Sequence, residues 1–237
     1  MVHDDKAVVV TGAASGIGKA VAQKYFGLGA TVFAWDQHPD SSFPYRWSEV
    51  DVTSWADLTS AAEGLPPLYS VITCAGIGAR GDVIERGPED WRRVLSVNVE
   101  GTALSALATF NALSAGAGTL VTIGSIAAIN GFHGRAAYSA SKAAVVALTK
   151  SLANEWAEHD IRTICVSPGF TETPMLIESL ASGLTDEKVL MAHTPQRCFV
   201  EPEALADAIV ALATDSFRRV TGAHLLVDAG WDTLSGF

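Results

Sequence analysis

Lys6-Ala-Val-Val-Val-Thr-Gly-Ala-Ala-Ser-Gly-Ile-Gly18 decides the fold. Lys6–Thr11 is a short apolar run of strand type, and Ile17–Leu28 follows with apolar residues at helical spacing. Between them the glycines permit positive φ and leave no Cβ to hold a phosphate off the backbone. The free N–H groups at a helix start then face an anion. The spacing is Gly12-x-x-x-Gly16-x-Gly18 rather than G-x-G-x-x-G, so the strand–turn–helix setting carries as much weight as the pattern.

The same alternation runs to the end of the chain. Strands are predicted at Ala30–Trp35, Arg46–Val52, Tyr69–Cys74, Gly118–Ile123, Arg162–Ser167 and His224–Val227. Long helices are predicted at Trp91–Leu113 and Ala136–Ala157, with a later one at Pro202–Ala213. Near-continuous apolar strands separated by helices imply a parallel sheet covered on both faces. Right-handed crossovers make it a Rossmann-type doubly wound α/β sheet. No repeat or low-complexity linker divides residues 1–237, so a single domain is expected. Residues 37–45, with two prolines and no helical period, read as a loop. Residues 173–200 read as an inserted helical lid or loop, placed where such sheets bind substrates.

Composition narrows the function classes. Apolar residues make up 49% of the chain and charged ones 18%, which disfavours disorder. A net charge of −10 disfavours nucleic acid and anionic membrane surfaces as partners. No signal-peptide pattern or apolar run of spanning length is seen. Cys74, Cys165 and Cys198 lack metal-ligand spacing and read as reduced thiols, the first two buried in apolar runs. A cytoplasmic protein without a metal site is expected.

Asp36 closes the second predicted strand. A carboxylate there can accept hydrogen bonds from the adenosine ribose hydroxyls and would repel a 2′-phosphate. No Lys or Arg lies among residues 13–17 or directly after Asp36 to offset that repulsion, so NAD is expected rather than NADP. Asp51 and Val52, at the end of the third strand, are candidates for the adenine edge.

Tyr138-Ser-Ala-Ser-Lys142 opens a predicted helix, which puts Tyr138 and Lys142 on one face. A phenol is almost wholly protonated at neutral pH, and a nearby ammonium or a positive nicotinamide ring favours its anion. Tyr138 can then exchange a proton with an alcohol as hydride leaves or arrives at carbon. Ser125, at the end of the fifth predicted strand, can hydrogen-bond the oxygen on which charge develops. A Ser–His–Asp hydrolase is not supported, because Ser125 lacks the G-x-S-x-G elbow.

Over essentially its whole length the chain resembles the short-chain dehydrogenase/reductase family. The resemblance rests on Gly12/Gly16/Gly18, Asp36, Asp51-Val52, Ala75-Gly76, Asn98, Ser125, Tyr138/Lys142 and Pro168-Gly169. It implies an NAD-dependent enzyme that interconverts a secondary alcohol and a ketone, with Ser125, Tyr138, Lys142 and Asn98 catalytic. Asn98 matches the residue at a helix kink whose water relays protons between Lys142 and solvent. From the residues alone, Asn98 would read as a helix-surface amide. Lys142 is implied to contact the nicotinamide ribose as well. The implied cofactor site adds Ser15, Ile17, Thr171 and Thr173 to the residues above, Thr173 holding the nicotinamide carboxamide. Thr173 also reads as a helix N-cap before Pro174. Where the family carries Asn-Asn-Ala-Gly, this chain has Thr73-Cys74-Ala75-Gly76, which puts the usual bracing amide contacts in question.

Ile126, Phe132, Phe170, Met175 and Leu176 suggest an apolar lining for a small alcohol or ketone. His133, Arg135 and Arg197 are open as substrate contacts, and no arginine cluster is evident in the sequence. Small residues on the long helices, with the resemblance, imply a homotetramer, to which the tail after Val227 is expected to contribute. Two other functions stay open: an epimerase or dehydratase passing through a keto intermediate, and a non-catalytic NAD-binding scaffold.

Overall fold

The computed structural model describes residues 5–181, 183 and 186–233. Seven parallel strands form one sheet in the order β3-β2-β1-β4-β5-β6-β7. They are β1 (Ala7–Thr11), β2 (Thr31–Asp36), β3 (Arg46–Glu49), β4 (Leu68–Thr73), β5 (Thr119–Ile123), β6 (Arg162–Pro168) and β7 (Ala223–Val227). The helices between them are α1 (Gly16–Gly27), α2 (Trp55–Ala62), α3 (Val83–Leu95), α4 (Gly101–Ala115), α5 (Ala136–Glu155), α6 (Pro174–Ala181), α7 (Glu187–His193) and α8 (Pro202–Ala213). The doubly wound, single-domain architecture expected from the sequence is therefore present.

β1 shows why its strand is apolar without alternation. Val8 and Val10 join one core with Val21 and Tyr25 of α1 and Leu205 and Ile209 of α8. Ala7 and Val9 face the other way, into a core with Leu58 of α2, Leu113 of α4 and Leu152 of α5. Successive side chains of a strand point to opposite faces, so a sheet covered on both sides needs apolar residues at every position.

Three elements differ from the sequence reading. The third strand stops at Glu49; Val50, Asp51 and Val52 follow it as a connection. α2 was not anticipated, although its cap is visible in Ser54-x-x-Asp57: Ser54 Oγ accepts the Asp57 N–H at 3.2 Å and donates to Asp57 Oδ1 at 2.8 Å. The helix predicted over Trp91–Leu113 begins earlier, at Val83, bends at Gly87-Pro88, and is broken by a π turn over Ser96–Glu100. Residues 173–200 contain the short helices α6 and α7, which share a small core of Leu176, Leu190 and Phe199. The 37–45 loop is helix-free, as expected, and carries stacked Phe43 and Tyr45 rings 5.4 Å apart.

The tail after β7 folds back rather than projecting: Trp231 packs edge-on against Phe170 at 4.7 Å, and Asn130 Nδ2 donates to Asp232 Oδ1 at 2.7 Å. Its final residues, 234–237, and the first four of the chain lie outside the described residues. Among the described residues, no helix is long and apolar enough to cross a membrane.

Candidate active site

The strand order reverses between β1 and β4, and their carboxyl ends open a cleft of about 670 Å³. Gly12 stands at this point with φ +66°, and a Cβ there would lie 2.8 Å from the Ala75 backbone N. A Cβ on Gly18 would lie 2.1 Å from the Gly12 carbonyl oxygen. The turn is thus closed by backbone on two sides, and its glycines are steric requirements. Ala75 N–H donates to Thr11 Oγ1 at 3.1 Å, joining the two strand ends.

Every residue assigned to the cofactor from the sequence lines this cleft. Gly12, Ser15, Gly16, Ile17 and Gly18 form its floor at α1; Asp36, Asp51 and Val52 lie toward the β2 and β3 side; Ala75 and Gly76 follow β4. Tyr138 and Lys142 come from α5, and Pro168, Gly169, Thr171 and Thr173 come from the β6–α6 connection. That connection closes over the turn, since Thr173 Cγ2 lies 3.3 Å from where a Gly16 Cβ would be. Thr173 Oγ1 donates to Thr171 O at 3.3 Å, which is not the N-cap bond expected of it.

The α1 N-terminus has no side-chain cap and no acid in its first turn, so its leading N–H groups lack a side-chain partner. Asp36 is held by two backbone donors, Ala14 N–H to Oδ2 at 3.0 Å and His38 N–H to Oδ1 at 3.0 Å. Thr53 donates to Asp51 Oδ1 through both its N–H and its hydroxyl, which holds that carboxyl below its ordinary value.

Ser125, Tyr138 and Lys142 meet at the other end of the cleft. Ser125, extended at the end of β5, caps a 3-10 turn by accepting the Ala127 N–H on Oγ at 3.0 Å. That bond leaves its own O–H free to donate. Lys142 is buried, donates from Nζ to Ile123 O at 2.8 Å, and places Nζ 5.8 Å from the Tyr138 ring centre. Burial pushes the neighbouring Cys74 thiol up to about 12, against the opposing pull of Lys142. Cys165, beside the same lysine, is also raised by burial. Both thiols are therefore neutral at physiological pH. Cys165 is buried as expected; Cys74 is only partly so and lines the cleft.

Asn98 is fully buried inside the π turn, which corrects the surface amide that helical spacing alone suggested. It stands behind the cleft: a Cβ on Gly76 would be 3.2 Å from Asn98 Oδ1 and 3.6 Å from Lys142 Nζ. Asn98 Nδ2 donates to Ser141 Oγ at 3.0 Å, and Ser141 Oγ donates to the Tyr138 carbonyl at 2.7 Å. Ser141 is a contributor the sequence reading did not single out, although it sits within the Tyr138–Lys142 stretch. Gln37, His38, Arg93, Ser96 and Val97 also line the cleft unforeseen. Of the residues left open, Arg135 lines the cleft, whereas Arg197 turns back to the Met191 and Ala192 carbonyls. His133 is exposed and outside the lining.

A family model described as enoyl-(acyl carrier protein) reductase matches residues 12–232. The chain belongs to the short-chain dehydrogenase/reductase family. It is 34% identical over 97% of its length to an uncharacterised short-chain type dehydrogenase/reductase of Sinorhizobium fredii, of which it spans 44%. It is also 34% identical to acetoacetyl-CoA reductase of Synechocystis, with 93% of this chain and 97% of that protein covered. Galactitol 2-dehydrogenase of Cereibacter sphaeroides is 32% identical, with coverages of 96% and 95%. A solved structure from Beutenbergia cavernae, assigned as an NAD(P)-dependent gluconate 5-dehydrogenase without proof of that activity and holding NADP at low occupancy, superposes with a TM-score of 0.89 at 31% identity, covering 98% of each chain. The family is one of dehydrogenases and reductases that use nicotinamide cofactors, and this chain is an oxidoreductase of that kind.

Proposed function

We propose that the enzyme is NAD-dependent and interconverts a secondary alcohol and a ketone, with Tyr138 moving the proton. The observation that carries this reading is one continuous cleft with Asp36 at one end and Ser125, Tyr138 and Lys142 at the other. Its residues fit a dinucleotide: the glycine turn admits no Cβ, and the uncapped α1 N-terminus offers N–H groups to a pyrophosphate. When bound, a nicotinamide cofactor supplies the hydride acceptor for oxidation and the donor for reduction.

The chain's own residues do the rest. Asp36 orients the ribose with lone pairs left over from its two backbone donors, and its charge opposes a 2′-phosphate. Lys19, on the first turn of α1, is engaged by Asp40 at 3.7 Å and lies over Phe43, so it offers that phosphate little. Ser125 donates its free hydroxyl to the substrate oxygen. Tyr138 accepts the alcohol proton or returns it. Lys142 stabilises the negative charge that the Tyr138 oxygen carries before it accepts that proton and after it has given it back. Asn98 holds the wall behind Lys142 and the backbone of Tyr138, beside the break in the helix where a relay water would sit. Residues 173–200 act as the substrate lid.

A screen of secondary alcohols with NAD, following absorbance of the reduced cofactor, tests the reading. Wild type is expected to turn over at least one alcohol, and Tyr138→Phe to lose roughly 10²–10⁴-fold in kcat while still binding NAD. Tight NAD binding without turnover would instead favour a scaffold. Product without net cofactor reduction would favour an epimerase or dehydratase. The same reading makes the enzyme a cytoplasmic homotetramer, which light scattering and fractionation check.

A further inference from the structure

Apart from Lys142, which is held by the Ile123 carbonyl, the substrate end of the cleft is apolar except for one cation. Ile126, Ala127, Phe132, Phe170, Met175 and Leu176 surround Ser125 and Tyr138, while the acidic residues of the lining, Asp36 and Asp51, lie on the β2–β3 side. The cation is Arg135. Its guanidinium carbon is 5.9 Å from the Tyr138 ring centre, and its side chain has no hydrogen bond or ion pair among the described residues.

A second guanidinium is brought up behind it. Gly81 N–H donates to Gly134 O at 2.9 Å, and a Cβ on Gly134 would stand 3.3 Å from Gly81 N. Both glycines have positive φ, 129° and 69°, so the loops after β4 and β5 press together at a spot only glycine fits. Their chain neighbours are Arg80 and Arg135. Arg80 crosses to the lid helix α6, donating from Nη1 to Ser179 Oγ at 2.6 Å. Burial, and then the charge of Arg135, hold Arg80 below the ordinary arginine value. On α3 two arginines find carboxylates, Arg86 with Asp90 and Arg92 with Glu89. Arg80 and Arg135 have none among the described residues. Two like charges kept together with no acid between them leave a positive potential at the reacting end of the cleft.

We propose that this pair selects the substrate: the enzyme acts on a small hydroxy acid and its oxo acid, the carboxylate held by Arg135 with Arg80 behind it. The short reach from Arg135 to the Tyr138 ring requires the carboxylate to lie within a few bonds of the carbon that bears the oxygen. A planar guanidinium suits a carboxylate, which it can meet with two parallel N–H donors. The carboxylate is a handle and takes no part in the redox change. The inference rests on the reading of Tyr138 as the proton-transferring group.

The test uses the full chain with NAD and a series of short-chain α- and β-hydroxy acids, each paired with the neutral amide of the same skeleton. Wild type is expected to favour the acid by about 10- to 100-fold in kcat/KM, as hydrogen bonds to charged groups do. Arg135→Gln is expected to bring that ratio near one, Arg135→Lys to retain part of it, and Arg80→Gln to lower it severalfold. Amides handled as well as acids by wild type, or a ratio unmoved by Arg135→Gln, would overturn the proposal. The wild-type ratio needs no variant, so misfolding of Arg135→Gln leaves the test intact. If wild type oxidises neither partner of any pair but turns over another secondary alcohol, the hydroxy-acid proposal is overturned; if it turns over no alcohol at all, the Tyr138 reading fails, and binding decides the anion site by itself. Saturation-transfer NMR should then show butyrate bound in preference to butyramide, with the preference lost in Arg135→Gln. No preference in wild type would sink the anion site.

Discussion

Asn98 grips the backbone of Ile77 on both edges: its Oδ1 accepts the Ile77 N–H at 2.8 Å, and its Nδ2 donates to the Ile77 carbonyl at 3.0 Å. A side-chain amide thus does for the loop after β4 what a neighbouring strand would do. The Thr73-Cys74 pair adds no side-chain bond of its own from Thr73, whose Oγ1 is buried without a hydrogen bond among the described residues. The loop so held carries Gly76, against which Asn98 and Lys142 both pack.

Asn98→Leu is expected to destabilise the fold and to loosen the site together. The change leaves the Ile77 N–H and C=O without their amide partner, at about 1–3 kcal/mol for each group left unsatisfied. Urea unfolding should show a lower midpoint with an unchanged slope. An unchanged midpoint would remove Asn98 as the brace.

Asp36→Asn keeps the side chain's size and removes its charge. Preference for NAD over NADP, as a ratio of kcat/KM values, is expected to fall about tenfold or more, because like-charge juxtaposition costs upwards of ~1.4 kcal/mol. An unaltered ratio would shift the discrimination to other lining residues such as His38 or Arg93.

His224 bonds Ser167 through Nε2 at 2.7 Å. Burial first, then the charge of Lys150, hold it below the ordinary histidine value, with Asp232 opposing. The folded chain therefore binds fewer protons here than the unfolded chain, and acidification favours unfolding. Stability from this site is full above about pH 6.5 and declines as the pH falls from there toward the lower folded-state value. The drop in Tm between neutral pH and about pH 5 should be smaller in His224→Gln than in wild type; an equal drop would place the acid sensitivity elsewhere.

Two glycines of α1 should respond in opposite directions. Gly18→Ala puts a methyl 2.1 Å from the Gly12 carbonyl oxygen, against backbone that cannot step aside. A loss of about 1–3 kcal/mol is expected, with NAD affinity falling in parallel in calorimetry. Gly27 is exposed, has open space where a Cβ would go and is not at positive φ, so Gly27→Ala should gain about 0.4–1 kcal/mol. Equal effects at the two positions would contradict the packing of the turn.

The sequence by itself determined the sheet class, the order of its main strands, the phosphate turn and the Tyr138–Lys142 face. Each of these is local: apolar runs, glycine at a strand–helix junction, and a spacing of four residues on one helix. Ser54-x-x-Asp57 was equally legible as the cap of α2, but its helix has only eight residues and a weak pattern. Tertiary structure alone decided what depends on loops meeting across the fold. The π turn that buries Asn98 leaves no mark in helical periodicity, because it is set by the side-chain bonds to Ile77 and Ser141. Nor could spacing join Arg80 to Arg135, which lie in different connections of the sheet. They become neighbours through one backbone hydrogen bond between Gly81 and Gly134, and the charge at the substrate end of the cleft follows from that contact.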